Sequence, residues 1–227
     1  MGIPIYQVDS FTETPFRGNP AGVRILSVGR DPLWMQSVAL EMNLSETALL
    51  ERRDDGFNLR WFTPAVEVDL CGHATLASAH ILWEIGMLDQ GVEARFHSRS
   101  GLLTAHGRAG EVELDFPATP SDRVTPPPGM CEALGVRGII VTALSSTPGI
   151  DFVSRFFAPG AGIDEDPVTG SAHSCLAPFW GERLDKREMR AYQASARGGR
   201  LRVRLQGDRV LLAGHAVTVL RGELVDH

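Results

Sequence analysis

Two stretches of the chain order their apolar and polar positions in the same way. Residues 47–64 read TALLERRDDGFNLRWFTP and residues 142–159 read TALSSTPGIDFVSRFFAP. At a constant offset of 95, seven of these 18 positions are identical: Thr47/Thr142, Ala48/Ala143, Leu49/Leu144, Phe57/Phe152, Arg60/Arg155, Phe62/Phe157 and Pro64/Pro159. After a three-residue insertion the likeness resumes at offset 98, pairing Gly72 with Gly170, Arg99 with Arg197, Gly101 with Gly199 and Leu114 with Leu212. One supersecondary unit, present twice, is therefore expected to make up most of the chain.

Each copy predicts the same run of elements. An apolar strand (ETALLER, IIVTAL) is followed by a second (FNLRWFTP, FVSRFFAP), closed by a proline that cannot donate to a ladder. A loop ending at glycine leads into an alanine-rich helix, HATLASAHILWEIGML or SAHSCLAPFWGERL, and a strand and hairpin complete the unit. Both helices are apolar on nearly every face, the pattern of a helix enclosed by its own sheet. The expected fold is α+β: two pseudo-symmetric lobes, each a mostly antiparallel curled sheet around a central helix. Residues 1–118 form the first lobe and 119–227 the second, with TPSDRVTPPPG as the linker.

The copies begin unequally. Ahead of Thr47 the pattern predicts a strand (IPIYQVDSF), a long turn containing FRGNPAG, and a helix (DPLWMQSVALEMN). Only Thr119 to Val141 separate the first hairpin from the second copy, so the second lobe is expected to lack an N-terminal strand-helix unit.

Composition narrows the chemistry. A net charge of −6 and the absence of a Lys/Arg face with interleaved aromatics disfavour nucleic acid. Apolar runs fall short of the roughly 20 residues that span a bilayer, and no secretory leader pattern stands at the start, so a cytoplasmic protein without membrane association is expected. The three cysteines, Cys71, Cys131 and Cys175, show no CxxC spacing, which suggests neither disulfides nor a zinc knuckle. Lys186 is the single lysine, in the charged run ERLDKREMR, read as a solvated helix face, so Schiff-base chemistry has almost no candidate.

A helix N-terminus offers unpaired N–H groups and the positive end of a dipole. If the lobes face each other, both helix starts converge on one cleft suited to a small carboxylate-bearing substrate. Residues that differ between the copies are then candidates for chemistry. Glu46 aligns with Val141 and His73 with Ser171, and the acidic cluster Asp164, Glu165 and Asp166 falls in the region of the three-residue insertion. Glu46 reads equally as an edge or capping carboxylate, yet its partner copy manages without an acid, and burial would raise its pKa toward the range of proton transfer. His73 reads also as a helix-start or core histidine, Asp166 as a turn former before Pro167, and Ser171 as a cap of the second helix. His73 and His80 have no metal-binding spacing, so no metal site is expected. GAGIDE at 160–165 lacks the third glycine and the βαβ context of a dinucleotide fingerprint.

The stretches QVDSFTETPFRGNPAGV, NLSETALL, RWFTPAVEVDLCGHATLASAH, RFFAPGAGIDEDPVTGSAH and QASARGGRL, in this order, resemble the successive signatures of the phenazine-biosynthesis PhzF-like family. That family has the diaminopimelate epimerase fold, and the resemblance implies a cofactor-independent isomerase moving a proton between carbons by general acid-base catalysis. It implies Glu46, His73 and Asp166 as catalytic residues and Gly72, Gly170 and Ser171 as the substrate's anion site. The fold's racemases use two thiols; Cys71 stands where one would lie, but Thr169 occupies the related position. A cysteine-dependent epimerase is thus the enzymatic rival, and a catalytically silent binding protein the other. Family members are generally longer; the piece missing before RGIIVTAL is expected to expose a sheet edge, and a homodimer is expected.

Overall fold

The computed structural model describes residues 3–108, 110–119, 138–159 and 163–225. Lobe 1 begins with β1 (Ile3–Ser10), β2 (Asn19–Leu26), helix α1 (Pro32–Met42), β3 (Glu46–Arg53), β4 (Gly56–Phe62) and the short β5 (Glu67–Val68). Helix α2 (Gly72–Glu84) then leads to β6 (Ala94–Ser98), β7 (Gly101–Arg108) and β8 (Glu111–Pro117). Lobe 2 holds β9 (Ile139–Leu144), β10 (Phe152–Ala158), β11 (Ile163–Asp166), helix α3 (Gly170–Leu184), β12 (Glu188–Gln193), β13 (Gly199–Gln206) and β14 (Arg209–Gly214). These strands and β15 (Ala216–Leu224) form one continuous 15-stranded sheet. Its described pairings are antiparallel except β2/β3, β4/β6 and β10/β12, each of which is bridged by a helix. Cys131 and the linker after Thr119 lie outside the described residues.

The sheet curls around α2 and α3 as the apolar pattern requires. Along α2 every residue from Gly72 to Ala79 is buried, and its alanines let the strands come close. Helix α3 carries Pro178 in its interior, which removes the N–H that would bond the carbonyl four residues back. That carbonyl, on Ser174, instead accepts from Thr119 N–H at 3.2 Å. Helix α1 packs outside the sheet, where Met35 and Ala39 meet Leu26, Leu49 and Phe62. Asp31 accepts from Leu33 N–H at its start, and Asn43 in left-handed conformation ends it.

The pseudo-twofold axis is visible in two contacts. Strands β8 and β14 pair antiparallel with Leu114 opposite Leu212, its counterpart at offset 98. Gly72 and Gly170, the first residues of α2 and α3, also touch: a Cβ on either would lie 2.9 Å from the other's Cα. Because the obstacle is backbone, Gly170→Ala should cost about 1–3 kcal/mol as overpacking does. Denaturant unfolding will measure it, and an unchanged midpoint would contradict this close approach.

Three expectations need correction. The hairpin registers place Thr47 opposite Phe62 but Phe157 opposite Ile139. Since Phe62 and Phe157 correspond, Ile139 is the structural partner of Thr47, and Gly138, not Val141, that of Glu46. The gapless match of Thr47–Leu49 with Thr142–Leu144 is out of register because the β9–β10 loop is three residues longer than the β3–β4 turn. Next, ERLDKREMR is exposed apart from half-buried Leu184 and buried Met189, and it is not one helix face: α3 ends at Leu184, Asp185 is left-handed at φ 50°, and β12 starts at Glu188. Finally, division of the chain after residue 118 fails for β15, which returns to pair with β1 in lobe 1.

Strand β9 shows the consequence of the short second lobe. Its counterpart β3 lies between β2 and β4. Among the described residues β9 pairs with β10 alone, and Val141 and Leu144 are 55% and 59% exposed.

Candidate active site

A single small cavity, about 40 Å³, lies where α2 and α3 begin. Glu46, Gly72, His73, Asp166, Gly170 and Ser171 all line it. A space of this size holds water rather than an organic substrate. A substrate needs more room between the two helix starts than the described residues leave. The remaining wall is largely apolar, with Val66, Val68, Leu70, Phe156, Ala158 and Ile163, and no described lining residue is Lys or Arg.

The two helix starts are built alike. Cys71 and Thr169 are the N-cap residues, and neither side chain caps its own helix. The next turn anchors each cap: Thr75 Oγ1 donates to Cys71 O at 2.5 Å, and His173 Nδ1 donates to Thr169 O at 2.7 Å. Ser171 is one residue inside α3, so the cap expected there is Thr169 instead. Leaving helix N–H groups uncapped beside a cavity suits an anion.

Glu46 begins β3 and is only 5% exposed; its Oε2 lies 3.3 Å from His73 Nε2. The contact is close but off the N–H direction, since Nε2 makes no hydrogen bond among the described residues. Burial drives the His73 pKa down to about 3, so the imidazole is neutral at ordinary pH. His173 is likewise held to about 4 by burial, against the opposing pull of the Thr169 carbonyl.

Asp166, at the end of β11, has both carboxylate oxygens engaged. Oδ1 accepts from Asn19 Nδ2 at 2.7 Å and Oδ2 from Thr169 Oγ1 at 2.5 Å. Gln193 Nε2 donates to Asp166 O, while its Oε1 accepts from Thr169 N–H. Asp166 thus anchors a buried network rather than presenting an open carboxylate to the cavity.

Sequence reasoning missed Asn19, Gln193 and the pair that positions them. Asn19, fully buried at the start of β2, joins lobe 1 to Asp166 and Val168 of lobe 2. The turn ahead of it is stitched down by Arg197, whose guanidinium donates to Asp9 Oδ1 (2.8 Å), Gly18 O (2.8 Å) and Arg17 O (3.0 Å). Asp9 is completely buried; its pKa is raised by that burial, against the lowering effects of Phe16 N–H and Arg197. Gly18 has φ 63°, and a Cβ there would strike the Ser10 carbonyl. These residues lie inside QVDSFTETPFRGNPAGV and QASARGGRL, but nothing in those stretches shows which side chains meet.

Glu46, Cys71 and His73 are the described acidic, thiol and imidazole groups that come close enough to share a metal, within 4.8 Å of one another. The thiol approaches His73 Nδ1 at 3.5 Å and the carboxylate approaches Nε2. Among the described residues no helix is long and apolar enough to cross a membrane.

Two lobes, each a sheet curled around a helix, with the two helix starts meeting at a pseudo-twofold axis, are the arrangement of the racemase and epimerase fold. A probable proline racemase from Agrobacterium radiobacter K84 shares this fold, with TM-score 0.71 at 13% identity over 98% of this chain and 93% of that one. The family model described as phenazine biosynthesis-like protein (PhzC-PhzF) matches residues 8–127 and 126–222. The chain belongs to this family.

A PhzF-family phenazine biosynthesis protein of Enterococcus faecalis superposes with TM-score 0.91 at 37% identity, covering 99% of this chain and 100% of that one. An uncharacterized isomerase of Halalkalibacterium halodurans is 49% identical over 263 positions, spanning 99% of both chains. The human phenazine biosynthesis-like domain-containing protein is 37% identical over 288 positions, again 99% of each. With 227 residues against 263 aligned positions, at least 36 positions of the bacterial relative have no residue here. The two family matches meet at residues 126 and 127, within the linker stretch TPSDRVTPPPG.

Proposed function

We propose that the protein is a cofactor-independent isomerase that moves a proton between carbons of a small monocarboxylate, with Glu46 as the base. The observation that carries this reading is the Glu46–His73 pair, buried at 3.3 Å beside two uncapped helix starts. The substrate carboxylate would bind the N–H groups of Gly72, Gly170 and Ser171, and its apolar body would lie against Val68, Leu70 and Phe156. Without a Lys or Arg in the described lining, helix ends supply the positive potential, which favours one carboxylate over two. Glu46 would remove a proton from carbon, the His73 Nε2–H would stabilise the charge that develops, and Glu46 would return the proton elsewhere.

A two-thiol racemase is the less favoured reading because Thr169, not cysteine, stands opposite Cys71 across the pseudo-twofold. Thermal-shift screening of cyclic and unsaturated monocarboxylic acids should find a ligand, and heavy water should deliver deuterium to its carbon frame. Cys71→Ser should keep most of that exchange. Binding without any exchange would favour a silent binding protein, and exchange abolished by Cys71→Ser would favour the thiol mechanism. As for assembly, the exposed β9 edge supports a homodimer, which the solution mass will test.

A further inference from the structure

We infer that Asn19 is a positioning residue that fixes His73 as a hydrogen-bond donor and makes that state depend on contact between the lobes. Its amide nitrogen lies 2.7 Å from Asp166 Oδ1, 2.8 Å from Val168 O and 3.1 Å from His73 Nδ1. A carbonyl and an ionised carboxylate only accept, so the nitrogen of the amide, not its oxygen, must face them. The structure keeps this orientation although Asn19 Oδ1 is then buried with no hydrogen-bond partner among the described residues.

The ring proton follows from this geometry. Asn19 Nδ2 carries two hydrogens for three neighbours, so one is shared, and the longer approach to His73 Nδ1 is part of that bifurcated bond. A proton on Nδ1 would meet the shared hydrogen head-on, so Nδ1 is the bare, accepting nitrogen. The Cys71 thiol, 3.5 Å from Nδ1, is compatible because it can donate there. The imidazole proton therefore sits on Nε2, beside Glu46. Burial already excludes the charged form, leaving only the choice of tautomer to be set.

Asn19 and His73 belong to lobe 1, whereas Asp166 and Val168 belong to lobe 2. Parting the lobes would remove the two acceptors that hold the amide, so the donor depends on their contact. The catalytic consequence rests on the acid-base reading above; the tautomer does not.

The test is long-range ¹H–¹⁵N correlation of the histidine rings at pH 7.5, with His73 assigned by its loss in His73→Gln. The wild type should show Nε2 protonated and Nδ1 bare. In Asn19→Ala the Nδ1–H form should rise roughly tenfold, the effect of losing one ordinary hydrogen bond. Cys71→Ser should leave the tautomer in place. A wild-type ring protonated on Nδ1 overturns the inference, and so does an unchanged ring in Asn19→Ala or a switch caused by Cys71→Ser alone. The wild-type spectrum decides even if Asn19→Ala does not fold. With a substrate in hand, Asn19→Ala should lower kcat more than it raises KM. Should the isomerase reading fail, the spectra still stand or fall by themselves.

Discussion

Under the proposed mechanism, Glu46→Gln should lower proton exchange into the substrate by about 10³-fold or more, while the folded protein and its ligand affinity should change little. The range for removing a positioned general base is about 10²–10⁴. Glutamine keeps the shape and can hold the same place at the start of β3, so the loss isolates the base from the fold. Glu46→Asp tests position as well, because withdrawing the carboxylate by one methylene misplaces it by about 1 Å, enough to cost roughly 10²-fold. Deuterium incorporation from heavy water measures both variants. Wild-type exchange in Glu46→Gln, with the ligand still bound, would eliminate Glu46 as the base.

The second large effect is on stability. His73 and His173 are held neutral by burial, with folded pKa values of about 3 and about 4 against 6.5 when unconstrained. The unfolded chain therefore binds more protons below pH 6.5, and stability must fall as the pH falls. The contribution is full above pH 6.5 and is lost on the way down to about 4 for His173 and about 3 for His73. Each histidine contributes about 1.4 kcal/mol per pH unit, so the two together remove about 4 kcal/mol at pH 5. That is a large part of a typical stability of about 5–15 kcal/mol. Asp9, raised by burial, acts in the opposite sense, while Glu67, lowered by the Arg60 guanidinium, adds to the loss only at more acid pH. Urea unfolding at pH 7.5 and pH 5 should show the drop, and His173→Gln should halve its slope. Equal stability at both pH values would mean that these histidines are not held neutral.

Much of the architecture was legible because it repeats. The offset-98 pairing of Gly72 with Gly170 located the helix starts that meet at the axis, and Leu114 with Leu212 located the strands that pair across it. The same method slipped at Thr47/Thr142, where identities continued through a hairpin whose loop had grown by three residues. Identity in sequence does not reveal the register of a hairpin; the ladder of hydrogen bonds sets it. Glu46 stood out because its repeat carries no acid, a reasoning that holds with Gly138 in place of Val141. Asn19 did not stand out, because it has no counterpart in the shortened second copy against which to compare it.

Periodicity and composition by themselves determined the elements, their twofold repetition, the enclosed helices and the lack of a second thiol opposite Cys71. Those properties are local: they depend on whether a residue faces the core and on which residue type fills a repeated position. Only the tertiary structure decided that β15 returns to lobe 1, that Asp166 is occupied by Asn19 and Thr169, and that Arg197 holds Asp9. Asn19 and Asp166 are 147 residues apart in the chain. Their hydrogen bond exists because two lobes pack against each other, and neither residue's neighbours in sequence carry that distance.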